Sequence, residues 1–134
     1  MTLHDFVAIL VWTGSGAVLL AALMCVDSLF TRYKDMDEIK KGNVAVTTRF
    51  IMKLLAQAYI LSRSIAASDT LGNALIASVV SFVILLVLEW LLRLILRQTV
   101  GLQLDQGTKD GKIAHALLAG SLHVAGALII GSLL

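Results

Sequence analysis

Four stretches of this chain are long and apolar enough to cross a bilayer, and that feature governs everything else it can fold into. A hydrocarbon core of about 30 Å takes about 20 apolar residues at 1.5 Å of rise each. Phe6–Val26 carries no charge over 21 residues, and Thr70–Leu88 carries none over 19. Ile113–Leu134 has only two histidines that could titrate, His115 and His123. The fourth stretch, Val44–Ala67, is apolar in outline but interrupted by Arg49, Lys53 and Arg63. If it stayed out of the membrane, residues 27–69 would form a long loop with Phe50-Ile51-Met52 and Leu54-Leu55-Ala56 exposed and no core to join. The expectation is therefore an all-α polytopic membrane protein with four transmembrane helices.

Composition agrees with lipid as the solvent. Hydrophobic residues are 58% and charged residues 15% of the chain, against about 45–50% and 25% in soluble domains. The mean hydropathy is +0.89. A net charge of +2 is too small for a nucleic-acid binder, and one cysteine cannot form an internal disulfide. A cleaved leader is not expected, since Met1–Asp5 holds an acid and no Lys or Arg.

Orientation follows from the placement of bases in short loops. Eight of the 11 Lys and Arg lie on one side: Arg32, Lys34, Lys40 and Lys41 in the first loop, and Arg93, Arg97, Lys109 and Lys112 at the end of span 3 and in the third. The other side has Arg63. Loops 27–43 and 97–112 should face the cytoplasm, with both termini outside. With no Pro in the chain, the helices should be continuous rather than broken as in many transporters. Small residues at Ala116, Gly120, Ala127 and Gly131, and at Gly14-Ser15-Gly16, suit close helix packing.

The pattern restarts midway. A long apolar helix, a mixed-charge loop and a second helix recur at an offset of 68 residues, pairing Asp37 with Asp105 and Lys41 with Lys109. Within the single membrane domain 1–134, residues 6–67 and 70–134 would be two tandem helical hairpins sharing one orientation. In the first loop, Asn43 is suited to cap the second span and Gly42 to turn the chain into it. Asp110 and Gly111 stand at the corresponding place in the second half.

The run Glu38-Ile39-Lys40-Lys41-Gly42-Asn43-Val44-Ala45-Val46, with four spans in two halves, resembles the bacterial inner-membrane family called domain of unknown function 350. The likeness covers nearly the whole chain. It departs from that family's pattern at Thr47-Thr48-Arg49-Phe50, at Lys53 and at Gly111-Lys112. The resemblance implies a multi-pass bacterial inner-membrane protein without an established activity, whose relatives tend to sit near membrane-stress proteins and ATP-grasp ligases.

Chemistry, if any, belongs to the ionisable residues inside the spans, which are costly there and mark candidate sites. Counted from Val44, Arg49 lies about 7 Å deep and Lys53 about 13 Å; counted back from Leu96, Glu89 lies about 10 Å deep. Arg49, Lys53 and Gln57 share a helical face. Glu89 could neutralise one cation and leave one net positive charge. Three readings stay open: an ion pair fixing helix register with Arg49 snorkelling outward, an anion or acidic-headgroup site, and a proton or cation relay through Glu89. His115 and His123 are about 12 Å apart along a helix axis, too far to share a metal ion. A haem held by His123 between subunits is conceivable, but the preferred reading is a cross-helix hydrogen bond from His123.

No nucleotide-binding loop, zinc-protease pair, nucleophile elbow or Cys-x-x-Cys is present in the sequence. The expectation is a non-enzyme without metal or cofactor, oligomeric in the bilayer, serving as a structural or interaction protein in membrane maintenance or stress response. Its loops 27–43 and 97–112, the first of them nearly neutral, would dock a soluble partner. The alternative is a small oligomeric channel or transporter using Arg49, Lys53 and Glu89.

Overall fold

The computed structural model describes residues 1–31 and 33–134, so Arg32, counted above among the loop bases, lies outside the described residues. Six helices follow in order: α1 (Leu3–Ser28), α2 (Asp35–Lys40), α3 (Val44–Ala67), α4 (Leu71–Thr99), α5 (Leu104–Lys109) and α6 (Ile113–Leu133). No strand occurs among the described residues. The four long helices are each sufficiently long and apolar to span a membrane, and the chain is a multi-pass membrane protein. Spans 2 and 4 begin where the sequence places them. Span 3 extends past its uncharged run, as the placement of Glu89 and Arg93 within it requires: with no Pro or Gly between Leu88 and Thr99 to break it, α4 runs on through Glu89, Arg93 and Arg97 to Thr99.

Start signals are local. Thr2 accepts from the Asp5 amide while the Asp5 carboxylate accepts from the Thr2 amide, closing a capping box at α1. Thr70 caps α4 through the Asn73 amide at 3.2 Å. The Asn43 side chain accepts from the Val46 amide at 3.2 Å, the expected cap of α3.

The two short helices, α2 and α5, are closed by one device. The turn after helix α2 passes through Gly42, with φ 82°, and the turn after α5 through Gly111, with φ 85°. Both are left-handed positions that glycine takes without steric cost. The Asn43 amide returns to the Glu38 carbonyl and the Gly42 amide to Ile39; likewise Lys112 returns to Gly107 and Gly111 to Thr108. These are paired Schellman closures. They also correct the repeat. The caps Thr2 and Thr70 are 68 residues apart, but Gly42 and Gly111 are 69 apart, so Gly42 matches Gly111 and Asp37 matches Gln106. Lys112, opposite Asn43, gives α6 no side-chain cap.

The most extensive interhelix contact is between α3 and α6, the second long helix of each half. Glycine makes it possible. A Cβ on Gly120 would collide with Met52, and one on Gly131 with Tyr59. Ala116 and Ala127, from the same stripe, are buried. Helix α1 is the outlier, with Gly16, Leu23, Met24 and Asp27 its only buried residues; Gly14 meets nothing while Gly16 admits Leu61. At the end remote from α2 and α5, Ala56, Ile60, Leu85, Ala127 and Ile130 form the apolar core.

Candidate functional site: a buried charge network

Helix α3 presents Arg49, Lys53 and Gln57 on its buried face, four residues apart. All three are at most 3% exposed. Arg49 is the hub. Its guanidinium donates to the Tyr33 hydroxyl at 2.9 Å, to Asp105 at 2.6 Å and to Glu89 at 3.2 Å. It therefore ties the loop after α1, helix α3, helix α4 and the short helix α5 to one planar group. An arginine fork suits this because its donors point in several fixed directions at once.

Two further groups extend the hub. Glu89 spends its other oxygen on His123 Nδ1, at 2.7 Å, which brings in α6. Because a carboxylate only accepts, Nδ1 carries the hydrogen of that bond. Asp105 is shared with Arg93 at 3.2 Å. Burial pushes the Asp105 carboxyl up, but Arg49 and Arg93 beside it outweigh burial and hold it below the usual carboxylate range. Burial likewise raises the Tyr33 hydroxyl to about 12, against the opposing pull of Arg49. Tyr33 thus stays a neutral acceptor and adds no charge.

Lys53 is served separately. Its ammonium donates to Asp27 of α1 at 2.7 Å, with both side chains 4% exposed. This overturns the charge count read from sequence. Arg49, Lys53 and Arg93 face Asp27, Glu89 and Asp105, so with a neutral imidazole the cluster balances and no net positive charge remains. Nor does Arg49 snorkel: it is 1% exposed, with both terminal nitrogens engaged. The cost of stripping charges of water is met by direct pairing.

The structure brings Arg49, Glu89 and His123 into one chain of contacts and links Lys53 to it only through the shared face of α3. Sequence reasoning missed Asp27, Tyr33, Arg93 and Asp105, all from helix ends or loops, where an ionisable residue normally meets water. Gly42 and Asn43 stand at the edge of the network. The Asn43 amide group donates to the Lys109 carbonyl at 2.9 Å and to Glu38 at 3.3 Å, fastening the two Schellman turns together. His115 plays no part in the cluster and packs where a Cβ on Gly107 would fall.

Some buried polar atoms have no partner: both amide atoms of Gln57, Ser78 Oγ, His123 Nε2, and Nε of Arg49 and Arg93. Such atoms are rare in folded proteins, and ordered water is their usual partner.

Searches among curated proteins and among solved structures found no match. The family described as Domain of Unknown Function (DUF350) matches residues 1–134, the whole chain, and the chain belongs to it.

Proposed function

We propose that this member of the DUF350 family is a non-enzymatic scaffold of the bacterial inner membrane, oligomeric, with loops 27–43 and 97–112 in the cytoplasm and both termini in the periplasm. The loops dock a soluble protein in membrane maintenance or stress response. One observation carries this reading: the segments between the spans are pinned platforms instead of slack connections. Asp105 is gripped by Arg49 and Arg93, Asp35 accepts from Ser28 at 2.7 Å, and Asn43 holds the Lys109 carbonyl. Lys40, Lys41, Lys109, Asp110 and Lys112 stand exposed on that fixed base. A surface ordered in advance loses little entropy on binding.

The test is crosslinking in cells through lysine side chains, comparing the native chain with the double charge reversal Lys40→Glu and Lys41→Glu. A crosslinked soluble protein should be captured by the first and lost from the second, while thermal unfolding in detergent is unchanged. Equal capture by both sinks the docking reading. Labelling of single cysteines at Lys41 and Lys109 checks the orientation, since only reagent reaching the cytoplasm should modify them.

A second reading draws on the unpaired atoms. Gln57, Ser78 and His123 Nε2 favour a hydrated seam, and with Glu89 they support a small proton channel. Balanced pairing of Arg49 and Lys53 speaks against a permanent anion site. Proton flux into liposomes that Gln57→Leu abolishes would establish this reading; no flux from assembled protein would remove it.

A further inference from the structure

A cleft beside the charge network, sharing Arg93 and Asp105 with it, runs along α4 and has two chemically different parts. The deeper part, of about 520 Å³, lies between the end of α1 and α4 and is lined by Val26, Phe30 and by Phe82, Leu86, Val87 and Trp90. The mouth, of about 270 Å³, opens between the end of α4 and the segment leading through α5, where Arg93, Arg97, Gln103 and Gln106 join apolar residues in the lining. Phe30, Trp90 and Arg93 border both parts, so they form one continuous groove.

Charge is unbalanced at the mouth. Its acid, Asp105, is already shared by Arg49 and Arg93. Arg97 meets no carboxylate among the described residues. Arg93 keeps one buried N–H, at Nε, without a partner. A cation-lined mouth above an apolar slot, at the end of a membrane-spanning helix, matches a molecule with an anionic head and a hydrocarbon tail. Basic pockets between membrane helices bind acidic headgroups in this way.

We propose that the groove between α1 and α4 holds an anionic phospholipid, its phosphate on Arg97 and Arg93 and one acyl chain along Phe82, Leu86, Val87 and Trp90. The proposal can fail separately from the docking reading, because the lysines that test that reading do not line the groove, although the same loops border both. Free phosphate would use only the mouth.

The test is native mass spectrometry of the detergent-purified protein with phosphatidylglycerol or phosphatidylcholine, together with its thermal unfolding. The native chain should retain phosphatidylglycerol in preference to phosphatidylcholine and unfold at higher temperature with it, whereas inorganic phosphate should shift unfolding little. Arg97→Gln should weaken phosphatidylglycerol retention about fivefold, the effect of one cation at an anionic surface. Val87→Trp, at a half-exposed position that fills the slot without entering the core, should lower retention of both lipids. Equal retention of the two lipids by the native chain overturns the proposal, as does unchanged retention in both variants. A shift with inorganic phosphate equal to that with lipid overturns it in favour of a free-anion site. Conversion of a dimer to a monomer by Val87→Trp, with lipid retention intact, overturns it in favour of a second copy in the slot.

Discussion

Helix α3 is held in two ways along its length. Around Arg49 and Lys53 it is clasped by charge, with partners from α1, the following loop, α4 and α5. A turn further on, Ala56 and Ile60 pack against Leu85, Ala127 and Ile130 with no polar bond between them. In water the second region would dominate stability. In a bilayer it does not, because lipid tails solvate leucine as well as another helix does, leaving dispersion and close approach as the attraction. The apolar half therefore depends on fit, which glycine and alanine on α6 provide. The charged half depends on pairing that lipid cannot replace.

The strongest way to break that contrast is to remove the hub. Arg49→Met leaves Glu89 and Asp105 short of a cation and should cost about 3–5 kcal/mol, measured by reversible unfolding in mixed micelles. Adding Glu89→Met should restore part of the loss, and a double-mutant cycle reads the coupling. Leu85→Ala in the apolar half should cost less, about 2 kcal/mol, the low end for a buried leucine, since lipid offers the exposed surface an equal solvent. A larger loss from Leu85→Ala than from Arg49→Met would reverse the comparison.

The pH dependence is smaller and belongs to the charged half alone. Tyr33 is raised in the folded state, so its contribution is complete below its ordinary value near 10 and is lost as pH climbs toward about 12. Asp105 is lowered, so its contribution is present above the ordinary carboxylate range and is lost as pH falls through its depressed value. Tyr33→Phe should remove the alkaline limb of the stability profile and leave the acid limb in place. The smallest effect is expected from Gln57→Leu. Replacing an amide that has no partner should change stability by less than about 1 kcal/mol, in either direction.

Much of this was legible in the sequence. Hydropathy finds the four spans because the bilayer demands length and little else, and depth arithmetic brings Arg49 and Glu89 to similar levels. Small residues on α6 mark a packing face. The partner of that face is not written in the stripe: any helix can approach a glycine, and which one does depends on the whole assembly. Asp27 and Asp105 were illegible for another reason. An acid beside other charges in a loop reads as solvated, and only the fold, by pressing α5 and the end of α1 onto α3, takes the water away. The helix outlasts the uncharged run that ends at Leu88 because charge ends an apolar run without ending a helix.

The pairing of Lys53 with Asp27, rather than with an acid further along the chain, bears on biogenesis. Each cation entering the bilayer on a nascent helix costs about 2.5–3.5 kcal/mol at its centre. Asp27 leaves the ribosome 26 residues ahead of Lys53, so the counter-ion is waiting when α3 is threaded in, and the first two spans can enter as a neutralised pair. Arg49 has no such escort. Its acids lie 40 and 56 residues downstream, so its charge has neither counter-ion until α4 and α5 are made. Completion of the bundle is thus coupled to completion of the chain, and a product truncated before Glu89 would retain an unpaired arginine, a recognisable mark of unfinished assembly for membrane quality control.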